Sequence, residues 1–246
     1  MSSPVHQKQP QPLRAGNVDG RAAPSRQLAL DCPAPLKKLL PTAGVRVSVE
    51  SHDYCCSSGA EYLCSDLRGR VLYRGSLDQV PGCCGSDPDC DVDFVDKESD
   101  QCAIRIRRTG RSVVVEAPRG NLVGKVAATD VDFMTDIDSE MVVRDARSQR
   151  IFRLVGSGAT GDFCCGGVGD MSYSIHPEAA GHRRRVVGNV VVSEEGWCHE
   201  PPDGSVTYPS DLQVKMKATL VGALMYAISL RIQYYDEHRN RGAAHA

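Results

Sequence analysis

The stretch KMKATLVGALMYAISLR, residues 215–231, is the most apolar part of this chain of 246 residues. As a helix its uncharged centre, Ala218 to Leu230, covers roughly 20 Å, because an α-helix rises about 1.5 Å per residue. A bilayer core is about 30 Å thick, so the segment crosses it only if the flanking Lys215, Lys217 and Arg231 reach the interfaces. A short helix that is apolar on all sides favours burial in a protein core, although its small residues would also suit helix pairing in a membrane.

The residues around this stretch predict one helix over residues 211–235. Asp211 follows Pro209 and Ser210 and is a suitable N-cap, because its carboxylate can accept a hydrogen bond from a free backbone N–H of the first turn. Leu220, Leu224 and Ile228 recur at helical spacing and are predicted to form the central, buried part of the helix.

Upstream of the helix, apolar and polar residues alternate in short runs. This period of two predicts half-buried β-strands. Turn-forming segments such as LRGR (67–70), APRGN (117–121) and PPDGS (201–205) separate the runs, and no long amphipathic helix interrupts them. The pattern predicts an all-β sandwich or barrel. The runs are VRVSVE (45–50), CAIRIRR (102–108), SVVVEA (112–117), EMVVRD (140–145), RIFRLVG (150–156), MSYSIH (171–176) and VVGNVVVS (186–193).

Composition indicates one folded domain in a reducing compartment. The 29 basic and 31 acidic residues give a net charge of -2, which offers no general attraction to nucleic acid or to an anionic membrane. The 11 cysteines are odd in number and the N-terminus has no apolar signal segment, so an intracellular location is predicted. Residues 1–29 are rich in proline and polar residues and are predicted to be disordered, residues 30–238 to form the domain, and residues 239–246 to form a second disordered tail.

The sequence carries no pattern typical of an enzyme or a zinc site. No two cysteines have C-x-x-C spacing, which zinc sites use to place two thiolates on one ion. Cys198 and His199 are adjacent, and adjacent side chains on a strand point to opposite faces, so they do not form a nucleophile and base pair. No nucleophile elbow or phosphate-binding loop occurs. The chain is therefore predicted not to be an enzyme.

Four segments together resemble the phospholipid scramblase family. YPSDLQVKMKATLVGALMYAISL (208–230) is similar to its C-terminal signature, in which a Phe-Pro-x-Asp-Leu-Asp-Val-Lys-Met-Lys string leads into an apolar helix. LDCPAPLKKL (30–39), VVEAPRGNLVGKV (114–126) and GATGDFCCGGVGDMSYSI (158–175) resemble three further family motifs in the family's order. The resemblance implies a tubby-like fold, a closed antiparallel β-barrel wrapped around a buried apolar C-terminal α-helix. It also implies calcium-stimulated, ATP-independent movement of phospholipids between leaflets.

The resemblance also implies a calcium site just before the helix. EPPDGSVTYPSD (200–211) aligns with the family's calcium segment, which makes Glu200, Asp203 and Asp211 the candidate ligands for Ca2+. Pro202 stands where the family has an acid, so the predicted site is weak. The alternative interpretation is a solvated acidic turn that ends in a helix N-cap.

Membrane attachment is predicted through cysteines and arginines. The family's acylated cysteine cluster has no counterpart here, and the remaining lipid-anchor candidates are the pairs Cys83/Cys84 and Cys164/Cys165, which are otherwise reduced, partly buried thiols. Arg183, Arg184 and Arg185 form a dense basic cluster that suits anionic lipid headgroups, or else a solvated loop. The predicted partner is a phospholipid membrane, at the cytoplasmic face of the plasma membrane or in part from the cytosol, and no nucleic acid is expected. The alternative function is a soluble tubby-like barrel that binds lipid headgroups or other proteins.

Overall fold

The computed structural model of the protein describes residues 32–50, 61–77, 90–129, 140–157, 170–178, 185–193 and 203–243. Within these ranges, twelve strands form one closed antiparallel barrel in the ring order β1-β12-β11-β10-β9-β8-β7-β6-β5-β4-β3-β2. Each strand pairs with its sequence neighbours, and β1 closes the ring on β12. The strands are β1 (Gly44–Glu50), β2 (Glu61–Asp66), β3 (Val71–Leu77), β4 (Cys90–Asp96), β5 (Gln101–Thr109), β6 (Ser112–Glu116), β7 (Leu122–Ala128), β8 (Glu140–Asp145), β9 (Arg150–Ser157), β10 (Met171–Pro177), β11 (Gly188–Ser193) and β12 (Asp203–Thr207).

The barrel confirms the all-β prediction, and its strands follow the alternation of the sequence. In β6, for example, Val113 and Val115 are buried, whereas Ser112, Val114 and Glu116 on the other face are partly exposed. Each of the seven predicted runs coincides with a strand, namely β1, β5, β6 and β8 to β11. The tight connection between β5 and β6 contains Gly110 at φ 54°, a left-handed conformation that glycine adopts without a steric penalty.

Two helices complete the described structure, a 3₁₀ helix (Ala34–Leu39) and a C-terminal helix α1 (Val214–Ala243). Helix α1 packs against β5 to β8 on one side and against β11, β12 and β1 on the other. Every residue from 217 to 228 is buried, including the predicted central residues Leu220, Leu224 and Ile228. The barrel therefore surrounds the apolar helix, as predicted.

Helix α1 begins later and ends later than the predicted range of 211–235. Asp211 is exposed in a turn that the Leu212 N–H closes on the Pro209 carbonyl, and it is not the N-cap. The Lys217 N–H donates to the Gln213 carbonyl, which places Gln213 at the cap position. The helix continues to Ala243 because the residues after 232 contain no proline and one glycine, so residues 239–243 are helical rather than disordered.

The prediction of a turn at PPDGS (201–205) is wrong for its last three residues. Asp203, Gly204 and Ser205 are extended and form the start of β12, which pairs with β11 and β1. Gly204 is required there for packing rather than for a turn. A Cβ at Gly204 would lie 2.7 Å from Cδ1 of Leu224 and 3.0 Å from Cδ1 of Ile228 on α1. The glycine lets the helix approach the strand.

The strands define two ends of the barrel. We call the end at which α1 begins the proximal end, and there the start of β1 pairs with the end of β12 through Gly44 and Thr207. Because successive strands run in opposite directions, the short turns after β2, β4, β6 and β8 also lie at the proximal end. The connections that leave β1, β3, β5, β7, β9 and β11 start from the other end, which we call the distal end.

Candidate functional site

Lys217 is fully buried near the start of α1, and backbone carbonyls surround its ammonium group. Its Nζ donates to the carbonyl oxygens of Leu40, Thr42 and Ser210, each at 2.8 Å, and to that of Leu39 at 3.2 Å. Residues 39–42 join the 3₁₀ helix to β1, and Ser210 lies in the turn before α1. Lys217 therefore ties the central helix to both chain segments at the proximal end.

The surroundings of Lys217 combine burial with compensation of its charge. Burial lowers the pKa of Lys217 to about 8, and the nearby Asp211 carboxylate opposes that shift. The Tyr208 ring lies 5.4 Å from Nζ and offers its face to the cation. The Tyr208 hydroxyl is hydrogen-bonded to the Thr42 hydroxyl at 2.9 Å. These contacts hold the ammonium group in place, so Lys217 positions the helix.

The middle of α1 touches the barrel wall where small residues allow it. A Cβ built on Gly222 would overlap Cγ2 of Val115 on β6. A Cβ on Gly124 of β7 would overlap the Thr219 side chain and would lie 2.7 Å from the Arg144 carbonyl oxygen. Helix and wall are thus in direct contact on two neighbouring strands, β6 and β7.

A small cavity lies between α1 and the distal halves of β2, β4, β5 and β6. Its volume is about 20 Å³, enough for a water molecule, whereas small-molecule sites typically measure about 300–1,000 Å³. The buried Tyr226 hydroxyl has no hydrogen-bond partner among the described residues. The Arg108 guanidinium carbon lies 5.4 Å from the centre of the Tyr226 ring. The cavity suits a bound water and is too small for a lipid chain.

Asp203 and Asp211, two of the three predicted calcium ligands, are not brought together. Asp203 begins β12, whereas Asp211 lies beyond the proximal end of that strand, where it influences Lys217. Four residue-to-residue steps of extended strand place Asp203 and Thr207 roughly 13 Å apart, and calcium ligands lie within about 2.6 Å of their ion. Glu200 lies outside the described residues. No group of three or more His, Cys, Asp or Glu side chains that could hold a metal ion occurs in the part of the chain that the structure describes.

Most of the predicted membrane-attachment residues fall outside the described ranges. Cys83, Cys84, Cys164 and Cys165 are among them, as are Arg183 and Arg184. The strand ends that flank both cysteine pairs belong to the distal end of the barrel. Arg185 is exposed and precedes β11 at the proximal end. It therefore lies at the opposite end of the barrel from the strand ends that flank the two cysteine pairs.

Comparison with known proteins finds no match: no protein-family model fits this chain, and no curated protein is significantly similar to it. Among the described residues, no helix has both the length and the apolar character needed to cross a membrane.

As a membrane span, the apolar segment would direct its flanking charges, Lys217 and Arg231, to the two interfaces. In the structure both side chains are buried, with exposed fractions of 0% and 1%, whereas Lys215 is exposed. The sequence feature that could have indicated the burial of Lys217 is its helical spacing from the buried residues of α1. Lys217 lies three residues before Leu220, on the buried part of α1, and three of the four carbonyls that bind it come from a segment more than 170 residues earlier.

Proposed function

We propose that this chain is a phospholipid scramblase, a protein that moves phospholipids in both directions between membrane leaflets without ATP. One observation carries the proposal. The chain forms a closed twelve-strand antiparallel barrel around a C-terminal helix, and that helix begins within the string Asp-Leu-x-Val-Lys-Met-Lys that resembles the family's signature. Lys217 of the string ties the helix to the chain segment before β1, which gives the resembling residues a structural reason to occur together.

The packing of the barrel favours a lipid path on its outside. Residues 217–228 are buried on all faces of α1, and Gly222 and Gly124 bring the helix into contact with the wall. Among the described residues, these contacts leave no space for a phospholipid between α1 and strands β6 and β7. The proposed activity therefore takes place at the outer surface of the barrel, next to a membrane, and we place it at the cytoplasmic face of the plasma membrane.

The proposal includes stimulation by calcium, as the resemblance implies. Of the three candidate ligands, Asp203 lies at the distal start of β12, three residues after Glu200 in the sequence. Asp211 does not contribute to that site, because β12 separates it from Asp203.

A liposome assay tests the proposal. Purified protein is reconstituted into vesicles that carry a fluorescent phospholipid in both leaflets, and dithionite is added from outside. A scramblase brings inner-leaflet label to the quencher, so the loss of fluorescence exceeds the outer-leaflet half, and it does so faster with calcium than with a chelator. Protein-free vesicles and vesicles with heat-denatured protein serve as controls. A loss equal to that of protein-free vesicles under both conditions would refute the proposal.

The tight packing of α1 against β6 and β7 favours a second candidate, a barrel that binds lipid headgroups or a protein partner without moving lipid. The observation in its favour is that the cavity beside Tyr226, of about 20 Å³, is too small for a lipid chain. The same vesicles distinguish the two functions. Binding to vesicles with no increase in accessible label supports the second candidate, and accelerated label loss supports the first.

A further inference from the structure

Three basic side chains lie directly opposite one another on the outer surface of β7, β8 and β9. Lys125 pairs with Arg144, and Arg144 pairs with Arg150, in the register of the sheet. Arg147 is exposed in the turn that joins β8 to β9. We call Lys125, Arg144, Arg147 and Arg150 the basic face. Adjacent strands are about 4.8 Å apart, so the row from Lys125 to Arg150 spans roughly 10 Å.

The basic face has no acidic partners within the described ranges. None of its four residues forms an ion pair with a carboxylate there. The neighbouring Asp145 uses Oδ1 to accept the N–H groups of Arg147 and Gln149, both at 2.9 Å, so it caps the turn. Arg144 donates to the Ser148 carbonyl at 3.1 Å, a neutral acceptor.

Strands β4 to β6 of the same barrel are built differently. Arg105 lies 2.6 Å from Asp91, and this hydrogen bond raises the pKa of the guanidinium. Arg107 lies 2.7 Å from Glu116. Each arginine of β5 at these positions therefore has a carboxylate beside it, whereas the basic residues of β7 to β9 face one another. Like charges directly opposite on adjacent strands are destabilising, so the basic face carries a stability cost that an anionic partner would remove.

We propose that the basic face binds the phosphate groups of anionic phospholipids and sets the side of the barrel that meets the membrane. Arginine guanidinium groups bind phosphate oxygens through paired N–H donors, and three of the four residues are arginine. The inference rests on the proposed function only in placing the barrel at a membrane. It adds which surface makes the contact and which lipid class is bound.

The observations favour a lipid surface over nucleic acid. The row of basic residues crosses β7, β8 and β9 and ends at Lys125. The residue opposite Lys125 on β6 is Val114, which is uncharged, and the next residue across, Arg107 on β5, forms an ion pair with Glu116. A short, partly apolar patch of this kind suits headgroups at the surface of a bilayer.

Sedimentation with phosphatidylcholine vesicles, with and without phosphatidylserine, tests the inference. The test variant is Arg144→Gln with Arg150→Gln. The matched control is Arg46→Gln with Arg74→Gln, which removes two exposed arginines from β1 and β3, on the opposite side of the ring. The control arginines have serine, leucine or valine as cross-strand neighbours, so they are isolated charges.

Wild type and control are expected to bind the phosphatidylserine vesicles alike. The test variant is expected to bind them about 25-fold more weakly, since each basic residue near an anionic surface contributes about fivefold. Its melting temperature should equal or exceed that of wild type, because two like charges have been removed, and this separates lost binding from lost folding. Equal binding by test and control variants would overturn the inference. So would binding of a single-stranded oligonucleotide as tight as that of the vesicles.

The same proteins in the dithionite assay separate this inference from the proposed function. If wild type binds anionic vesicles through the basic face but moves no lipid, the scramblase proposal fails and the inference stands. If wild type moves lipid and the test variant binds and moves lipid equally well, the inference fails and the scramblase proposal stands.

Discussion

The ammonium group of Lys217 donates to the carbonyl oxygen of Thr42 at 2.8 Å, across 175 positions of the sequence. This hydrogen bond joins the first turns of the central helix to the segment that leads into the first strand. The closure of the barrel through β1 and β12 occurs at the same end. A single buried lysine thus connects the two parts of the chain that must meet for the ring to close around the helix.

Replacing Lys217 by methionine should destabilise the fold strongly. The variant leaves the carbonyl groups of Leu40, Thr42 and Ser210 without their buried donor, and we expect a loss of about 3 kcal/mol in the free energy of unfolding. Lys215→Met is the matched control, because this lysine of the same string is exposed, and its effect should stay within about 0.5 kcal/mol. Urea unfolding followed by circular dichroism measures both. Equal effects of the two changes would contradict the role of Lys217.

The same lysine predicts a dependence of stability on pH. Its folded pKa of about 8 lies below the ordinary value of 10.5, so between these values the unfolded chain binds more protons than the folded chain. The free energy of unfolding of wild type should therefore rise relative to Lys217→Met as pH increases from about 8 towards 10.5. Below pH 8 the lysine is charged in both states and the difference between the two proteins should be flat.

Taking the difference between the two proteins removes other titrations from this measurement. Burial raises the pKa of the Cys64 thiol from 9.0 to about 12, so its contribution to stability is present below pH 9 and is lost as pH rises towards 12. This loss affects wild type and Lys217→Met equally. A difference that falls between pH 8 and 10.5 would show that Lys217 is not held with a lowered pKa.

The effect of Gly222→Ala on the free energy of unfolding should have opposite signs in wild type and in a Val115→Ala background. In wild type, Gly222→Ala should lower the free energy of unfolding by about 2 kcal/mol, because the new Cβ overlaps Val115, whose branched side chain is stiff. In a Val115→Ala background the clash is gone, and Gly222→Ala should raise stability by about 1 kcal/mol through the higher helix propensity of alanine. Chemical unfolding of the four proteins of this double-mutant cycle gives the coupling energy. Additive effects would mean that helix and strand are not in contact there.

The separation of Asp203 from Asp211 predicts that they do not share a calcium ion. Wild type and Asp211→Asn should show the same change in melting temperature, whatever its size, when calcium is added at about 1 mM, the affinity range of weak sites. Asp203→Asn is the companion variant at the other end of β12. A calcium-dependent shift in wild type that both single variants lose would place the two carboxylates on one ion.

Several parts of the fold could be predicted because they depend on local patterns. The alternation in SVVVE and EMVVRD predicts β6 and β8, since a strand with one buried face must alternate. The alternation did not predict strands β2, β3, β4 and β7. EYLCSD has three consecutive apolar residues and so a weak alternation, whereas CDVDFVD alternates acidic and apolar residues and could have been predicted by the same rule. Strand β12 was mistaken for a turn because Asp203 and Gly204 are typical turn residues. Gly204 is there because α1 lies against it, and that contact involves residues distant in sequence.

The site residues divide in the same way. Leu220, Leu224 and Ile228 were predicted to be buried from their helical spacing, because the apolar character of a side chain is a property of the residue itself. The environment of Lys217 and the row formed by Lys125, Arg144 and Arg150 depend on which strands and segments meet, and neighbours in one chain do not encode that directly. From the sequence alone, a basic residue is predicted to be solvated. Only the tertiary structure shows that it lies among carbonyl groups or opposite another cation. For this protein, residue order accounts for the strands and the apolar helix, whereas closure of the ring in space creates the buried ammonium site and the basic face, because both require groups from distant parts of the chain.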